Sequence, residues 1–354
     1  MINKLNSSNL KKVMDKVLLI FVFYIVAAAS FNGFFVKWAF LDNFDTFRMM
    51  YEETEFRPFV HRQLMISTVK VLPHILTDDQ QKRLKEHFTK KDYITEYYSK
   101  ANIPREYIVE YNLLYLLCVI FLFISMFILR EISIEVTGNK IVGTLTACCF
   151  SVLFILIDPF FFYDFGELLF FSLATLFAYR GNWIALFIIT PFAECNKESF
   201  LFFLITLFPL LMIRLGKKKA AFVTVFTIIL SGITYLKILS IYADNPGLML
   251  EWHWDLHLQQ IFQHWLDMEF HYGVQMGSGM FLPHLILLAW IVKCTWSKLL
   301  LPWKQHIGLA LIINTPLYIL NCAPGELRNL SMLYMGFVVI LSIFIKDSIT
   351  EIRQ

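Results

Sequence analysis

Residues 111–129 read YNLLYLLCVIFLFISMFIL, a run without a charged side chain. An α-helix rises about 1.5 Å per residue, so this run is long enough to cross most of the roughly 30 Å hydrocarbon core of a bilayer. Similar runs recur along nearly the whole chain, in which 57% of residues are hydrophobic and 17% are charged. Soluble chains carry about 45–50% apolar and about 25% charged residues. The sequence therefore predicts an all-α integral membrane protein.

The positions of the apolar runs predict about ten transmembrane helices. The predicted spans are residues 17–40, 111–129, 141–158, 165–179, 183–193, 200–213, 220–243, 280–297, 306–320 and 330–345. The pair 165–179 and 183–193 is short for two crossings, so one interrupted hairpin buried among other helices is the alternative there. The first run continues through Val36, beyond the usual length of a signal-peptide core, and is interpreted as a retained helix. Residues 1–16 then form a tail, and 17–354 form the transmembrane domain.

Basic residues are divided unequally between two sets of loops. The set that includes both termini holds sixteen Lys and Arg residues, whereas the short opposite loops hold Lys197 and Arg328. Cytoplasmic loops carry the excess of basic residues, counted over short loops near helix ends. This asymmetry predicts cytoplasmic termini and two long external segments, 41–110 and 244–279. In a bacterial inner membrane the external side is the periplasm. The net charge of +3 is small and scattered, which gives no indication of nucleic-acid binding.

The first external loop, 41–110, opens with two carboxylates directly after the first predicted span. Asp42 and Asp45 are three residues apart, so one helical turn would direct both to the same side. Arg57, His61 and Arg62 follow in the block RPFVHRQL, where Pro58 is well placed to begin a helix. One interpretation is a catalytic carboxylate with cations that hold a lipid-linked phosphate. The alternative is a capping Asp and cations that face lipid headgroups.

Further charged residues cluster at the external ends of the later spans. They are Asp164 and Glu167, Lys197 and Glu198, and Glu326 and Arg328. Charged groups at membrane depth are costly unless they are paired or face water. We therefore expect Arg57, His61, Lys197 and Arg328 to line one external cavity with Asp164 and Glu167, and we assign all of these residues, with Arg62, Glu198 and Glu326, a substrate-binding role. Structural capping and the ordinary polarity of turns are the alternatives.

The second external segment, 244–279, has a helical pattern over residues 250–271. One stripe carries the polar residues His253, His257, Gln260, His264, Asp267 and His271. Large apolar residues, with Trp254 and Trp265 among them, fall on the other side. The pattern predicts an amphipathic helix that lies in the membrane interface. His253 and His257 have the spacing of a metal pair, but the HExxH pattern is absent and we predict neither a metal site nor a cofactor.

The layout of the chain resembles the GT-C superfamily of membrane glycosyltransferases. The resemblance lies in a long first external loop that opens with an acidic residue, followed by a hydrophobic body with many spans. Four short blocks also resemble a group of poorly characterised bacterial multispan proteins. They are RPFVHRQL at 57–64, YDF at 163–165, NKE at 196–198 and ELR at 326–328. In the superfamily a carboxylate of the first external loop is the catalytic base, a role that falls here on Asp42 or Asp45. No Asp-x-Asp motif is present.

The resemblance implies an enzyme that uses a polyprenyl-phosphate-linked sugar as donor on the periplasmic face. Such an enzyme would act in envelope polysaccharide or glycoconjugate synthesis, with the lipid bilayer and envelope-biosynthesis proteins as partners. Glycosyl transfer needs a base for the acceptor hydroxyl and cations for the departing phosphate, which the residues above could supply. Three alternatives stay open: a transporter or flippase for a lipid-linked or anionic substrate, a membrane O-acyltransferase with His61 as base, and a non-catalytic assembly partner.

Overall fold

The computed structural model describes residues 2–40, 44–90, 105–156, 161–248, 252–260, 263, 265–271, 274–277 and 279–352. These residues are helical apart from one β-hairpin, turns and short loops. The helices are α1 (Ile2–Phe40), α2 (Phe44–Tyr51), α3 (Leu64–Ile75), α4 (Asp78–Thr89), α5 (Ile108–Thr137), α6 (Lys140–Leu156), α7 (Tyr163–Arg180), α8 (Trp183–Asn196), α9 (Ser199–Thr206), α10 (Phe208–Ile241), α11 (Trp254–Gln260), α12 (Leu282–Thr295), α13 (Leu301–Asn321) and α14 (Tyr334–Ile352). The hairpin strands are β1 (Met268–His271) and β2 (Val274–Gly277).

Four helical stretches in the described part of the chain are long and apolar enough to cross a membrane. They are Asn9–Phe34, Ile108–Thr137, Phe208–Ile241 and Leu327–Ile352. Shorter apolar helices include Lys140–Ile155 and Trp183–Asn196. The chain is therefore an all-α membrane protein, as the apolar runs predict. The finer arrangement into about ten spans stays a prediction.

Helix α7 is the central helix of the bundle. Almost every side chain from Tyr163 to Ala178 is buried, including the carboxylates near its first turn. Phe165 packs edge-on against Phe34 at 4.8 Å between ring centroids, and Phe171 stacks on Phe203 at 3.9 Å. Aromatic side chains bury large apolar areas, and the edge-on geometry is one that ring pairs prefer. A helix that is buried on all sides is apolar all round, which explains why α7 shows no amphipathic pattern.

A tight turn joins α7 to α8. Gly181 ends α7 with φ of +72°, the left-handed conformation that glycine adopts without steric cost. Asn182 then caps α8, and its Oδ1 accepts a hydrogen bond from the backbone N–H of Ala185 at 3.2 Å. The predicted weak pair 165–179 and 183–193 thus forms two separate helices joined by a hairpin turn. The interrupted-hairpin alternative is correct in one respect, because α7 is buried among other helices.

Helix α10 is broken at Gly216, whose φ of 71° and ψ of 164° are not helical. The three residues that follow are Lys217, Lys218 and Lys219. The break falls between the predicted spans 200–213 and 220–243. A non-helical backbone next to three cations is compatible with a short loop at a membrane surface.

The described part of the first external segment forms short helices. Arg57 and Pro58 are joined by a cis peptide bond, and Pro58 precedes a 3₁₀ turn, Phe59–His61. An α-helix begins only at Leu64, so the prediction that Pro58 begins a helix is correct only for this short turn. Helix α4 is polar, and Thr77 caps it together with Gln80 in a reciprocal capping box.

The second external segment differs from its prediction. The described helix covers Trp254–Gln260, and strand Met268–His271 pairs with strand Val274–Gly277 in the antiparallel hairpin, in which His271 pairs with Val274. The predicted single helix over 250–271 is therefore wrong at Met268–His271. Val274, Phe270 and Met276 favour an extended backbone. Pairing of the two strands also gives hydrogen-bond partners to backbone N–H and C=O groups, which would lack such partners at the end of an isolated helix.

Candidate functional site

A buried lysine joins two carboxylates at one end of the central helix. Asp164 and Glu167 are three residues apart on α7 and therefore lie on the same face. Lys197 follows the end of α8, and its Nζ lies 3.3 Å from Asp164 Oδ1 and 2.8 Å from Glu167 Oε2. All three side chains are at most 6% exposed. The three groups form a buried ionic triad, in which the partners offset the cost of removing each charge from water.

Arg328, in the 3₁₀ stretch Leu327–Leu333, extends this triad. Its Nη1 lies 3.4 Å from Asp164 Oδ2, and its Nη2 donates to Glu326 Oε1 at 3.0 Å. The guanidinium also lies 4.8 Å from the centre of the Phe161 ring. Lys197 and Arg328 thus share one carboxylate, although 131 positions separate them in the sequence. The structure brings these two cations into one cluster, as the electrostatic argument predicts.

The other carboxylate oxygen of Glu167 accepts hydrogen bonds from two hydroxyl groups. Ser199 Oγ donates at 2.5 Å and Ser331 Oγ at 2.7 Å, both to Oε1. Because Lys197 occupies Oε2, both oxygens of this carboxylate are engaged. Glu167 is thus held by groups from two separate parts of the chain.

Arg62 and Glu198 form a second, adjacent pair. Arg62 Nε donates to Glu198 Oε2 at 3.0 Å, and Nη2 donates to Oε1, which makes the pair bidentate. Arg62 Nη1 donates to the Tyr163 hydroxyl at 2.5 Å, and the guanidinium lies 4.6 Å from the centre of that ring. Lys197 Nζ lies 5.6 Å from the same ring. Tyr163 therefore connects this pair to the ionic triad.

The pKa of Glu198 reflects its partner. Burial raises this pKa, but the charge of Arg62 and its hydrogen bonds outweigh burial and hold the value at about 2. Glu198 is consequently ionised at neutral pH. Its side chain is 27% exposed and that of Glu326 is 36% exposed, whereas Arg62 and Arg328 are 11% and 7% exposed. The two arginines are thus covered, and their carboxylate partners form the accessible edge of the cluster.

Close packing of α7 against the end of α8 holds these groups in place. A Cβ atom on Gly166 would lie 2.0 Å from Asn196 Oδ1, so only glycine fits there without a shift of its neighbour. Asn196 Nδ2 donates to the Tyr163 carbonyl at 2.9 Å. This contact fixes the position of Lys197, the next residue, relative to the first turn of α7.

His61 lies beside the cluster and differs from the other members. It is 2% exposed, and among the described residues neither ring nitrogen has a hydrogen-bond partner. The rings of Tyr235 and Tyr242 each lie 6.4 Å from the imidazole centre. Burial lowers the pKa of His61, Glu198 raises it, and Arg62 and Arg57 lower it further, with a net decrease. The imidazole is therefore neutral at pH 7.

Arg57 is not part of the charged cluster. Its backbone N–H donates to the Pro246 carbonyl at 2.9 Å, and its Nη2 donates to the Gly247 carbonyl at 2.9 Å. The loop after α10, rather than Asp164 or Glu167, supplies its described acceptors, so the prediction that Arg57 lines one cavity with these carboxylates stays a prediction. Asp42 lies outside the described residues. Asp45 lies in α2, but its side chain is outside the described part of the chain, so both stay candidates from the sequence alone.

Sequence reasoning missed the polar neutral members of the cluster. In the sequence Tyr163 stands out only as part of the block YDF, and Ser199 and Ser331 do not stand out. Serine is common in both membrane helices and turns, so no spacing pattern marks these two. No group of three His, Cys, Asp or Glu residues in the described ranges is arranged to hold a metal ion.

Comparison with known proteins does not place the chain in a family. No protein-family model matches the sequence. No curated protein and no solved structure is significantly similar to it.

Proposed function

We propose that this protein is a membrane glycosyltransferase that uses a polyprenyl-phosphate-linked sugar as donor on the external face of the membrane. The observation that supports this most is the convergence of Arg62, Lys197 and Arg328 in one buried cluster at one end of the bundle. Three cations from three separate parts of the chain could stabilise a phosphate that gains charge as it departs. The product would belong to an envelope polysaccharide or glycoconjugate.

The proposal includes a topology of about ten spans with both termini in the cytoplasm of a bacterial cell. The sixteen-to-two distribution of basic residues supports it. In this topology the charged cluster lies at the outer leaflet of the inner membrane, where a polyprenyl-phosphate headgroup is accessible. A nucleotide donor is not required, and the bilayer itself delivers the substrate.

The cluster carries four carboxylates, Asp164, Glu167, Glu198 and Glu326, against its three cations. Its cations are therefore already paired, and a phosphate has to take the place of a carboxylate. Glu198 and Glu326 are suited to this exchange, because they are the more exposed partners of the two arginines. A guanidinium binds phosphate in the same bidentate geometry as carboxylate. Lys197 stays paired with Asp164 and Glu167 deeper in the protein and offsets part of their negative charge behind the arginines.

The chemistry also requires a proton acceptor for the incoming hydroxyl group. The resemblance to the GT-C superfamily assigns this role to Asp42 or Asp45, which directly follow the first predicted span. A positioned base contributes typically about 10²–10⁴-fold to the rate. Replacing the catalytic aspartate by asparagine should lower the rate by that factor, because asparagine cannot act as the base. The same replacement should keep a helix-capping hydrogen bond, which asparagine can also accept.

Donor cleavage by the purified protein tests the proposal. The protein is reconstituted in vesicles with a panel of polyprenyl-phosphate-linked hexoses and amino sugars that carry a radiolabel in the sugar. We expect time-dependent release of labelled sugar from at least one donor, and an at least tenfold slower release for Arg62→Ala. Arg83→Ala, on the exposed helix α4, is the matched control and should keep the wild-type rate. Absence of release from every donor would overturn the proposal.

A further inference from the structure

His61 is a buried polar side chain with unused hydrogen-bonding capacity. Both ring nitrogens have less than 1 Å² of accessible surface and no partner among the described residues. A buried polar atom without a partner costs about 1–3 kcal/mol, so native proteins rarely keep two such atoms in one side chain. Arg57 Nε and Gln63 Oε1, in the same stretch of chain, are also buried without a partner among the described residues. The two unsatisfied nitrogens of His61 indicate that a polar ligand or water binds beside this ring.

The chemistry of the imidazole limits the ligand. His61 is neutral at pH 7, so one nitrogen donates a hydrogen bond and the other accepts one. A hydroxyl group can do both, since it carries one proton and two lone pairs. Because the two ring nitrogens point to nearly opposite sides of the imidazole, a ligand hydroxyl group would serve one nitrogen, and a water molecule or a distant hydroxyl group the other. A phosphate could satisfy only the donor nitrogen and is better served by the arginines.

The surroundings of His61 favour a ligand with both apolar and polar faces. The Tyr235 ring stands edge-on to the imidazole at 87°, and the Tyr242 ring is tilted at 41°. Both tyrosines are partly exposed, so they connect the buried imidazole to the surface. Tyrosine presents an apolar ring and a polar tip, which suits the C–H and O–H faces of a sugar ring. Arg62, the next residue along the chain, belongs to the charged cluster, so this place is adjacent to the proposed phosphate site.

We propose that His61, Tyr235 and Tyr242 form the subsite for the acceptor sugar, with His61 positioning its hydroxyl groups. The inference rests on the proposed function and adds the chemical class of the acceptor, a glycoside rather than a protein or a fatty acyl group. His61 acts here as a positioning residue, and the proton of the attacking hydroxyl group is taken by the separate base. Entry of the acceptor requires the two tyrosine side chains to move from the imidazole.

Partition between hydrolysis and transfer tests this inference separately from the donor chemistry. In the vesicle assay, water accepts the sugar when no glycoside is present, and a panel of octyl glycosides (glucoside, galactoside, mannoside and N-acetylglucosaminide) supplies alternative acceptors. We expect the wild-type protein to transfer sugar to at least one of them with saturation. His61→Gln should raise the KM for that glycoside about 10-fold or more, because a lost hydrogen bond of about 1.4 kcal/mol corresponds to a factor of ten. Donor hydrolysis should change less than twofold.

Two further variants make the result interpretable. His87→Gln, at an exposed position of α4, should match the wild type in both reactions. Tyr242→Ala should raise the KM for the glycoside and leave donor hydrolysis unchanged. The inference is overturned if donor hydrolysis occurs but no glycoside accepts the sugar, if His61→Gln keeps the wild-type KM, or if it lowers hydrolysis and transfer equally. In each of these cases donor cleavage, and with it the proposed function, still stands. If the wild-type protein cleaves no donor, both proposals fail.

Discussion

Lys197 is the residue on which the buried charges of the cluster most depend. Replacement by Met keeps most of the side-chain volume but leaves Glu167 with only the hydroxyl groups of Ser199 and Ser331 among its described partners. Removing one partner of a buried ion pair costs about 3–5 kcal/mol, because the other charge stays buried. We expect Lys197→Met to lower the free energy of unfolding by about that amount. Equilibrium unfolding in mixed detergent micelles measures it.

The matched control is another lysine–glutamate pair. Lys70 Nζ lies 2.6 Å from Glu53 Oε1, but Glu53 is 49% exposed. Exposed pairs contribute about 0–1 kcal/mol, so Lys70→Met should have a small effect. Equal losses for the two variants would contradict a special role for burial at Lys197. The double variant Lys197→Met with Glu167→Gln should recover part of the loss, because the uncompensated charge is then removed.

The pair of Arg62 and Glu198 gives a pH dependence of stability. The pKa of Glu198 is about 2 in the folded protein, below the ordinary value of 4.5. The unfolded chain therefore binds the proton more tightly, and this pair's contribution is fully present above about pH 4.5 and is lost as the pH falls towards 2. We expect the unfolding free energy of the wild type to decrease over this interval. The decrease should be smaller in Glu198→Gln, and identical pH profiles would contradict the assignment.

Part of this residue-scale arrangement is predictable from the sequence. An isolated cation at membrane depth is costly, so Lys197 and Arg328 are expected to pair with carboxylates. Asp164 and Glu167 are predicted at the same face of the membrane and are therefore the expected partners. The hydrogen-bond partners of Arg57 could not be predicted from the sequence. Backbone carbonyls at 246 and 247 accept its hydrogen bonds, and every loop offers carbonyl groups, so no residue pattern marks these partners.

At the scale of helices, the approach of α7 to α8 depends on the absence of a side chain at Gly166. A Cβ atom there would overlap Asn196, which is itself tied to the Tyr163 carbonyl. We expect Gly166→Ala to destabilise the protein by about 1–3 kcal/mol, the usual cost of overpacking. Gly232→Ala is the control, because nothing lies within 4 Å of a Cβ atom at that helical position. It should be neutral or stabilising by up to about 1 kcal/mol. Thermal unfolding in detergent would compare the two, and equal midpoints would contradict the packing argument.

The elements differ in how well their sequences reveal them. Long apolar runs such as 111–129 predict a helix because no other structure satisfies the backbone in a bilayer. The segment 250–271 lacks that constraint, and its polar residues fit a helical stripe by position alone. Strand pairing of Met268–His271 with Val274–Gly277 is a local alternative that the helical period does not exclude. The predicted helix is therefore wrong at Met268–His271, where the helical spacing of polar residues competes with strand pairing.

At the scale of the whole molecule, opposite ends of α7 carry different partners. Asp164 and Glu167 lie near the first turn, while Arg180 at the other end pairs with Glu131 and Glu135 of α5. Eighteen helical residues separate these ends by about 27 Å, close to the thickness of a hydrocarbon core. The charged cluster and the Arg180 pairs thus lie at opposite ends of α7, as the proposed topology requires. This separation agrees with the unequal distribution of basic residues.

The proposed topology has a direct test in reporter fusions. A reporter that is active only outside the cytoplasm should give signal after Gly273, in the external segment, and no signal after Lys218, beside the break in α10. The reason is electrostatic, because short loops rich in Lys and Arg are retained on the cytoplasmic side. A cytoplasm-active reporter at the same two positions is the control and should give the reverse pattern. If signal outside the cytoplasm came from Lys218 and not from Gly273, the charged cluster would face the cytoplasm, away from the leaflet in which the donor is proposed to be bound.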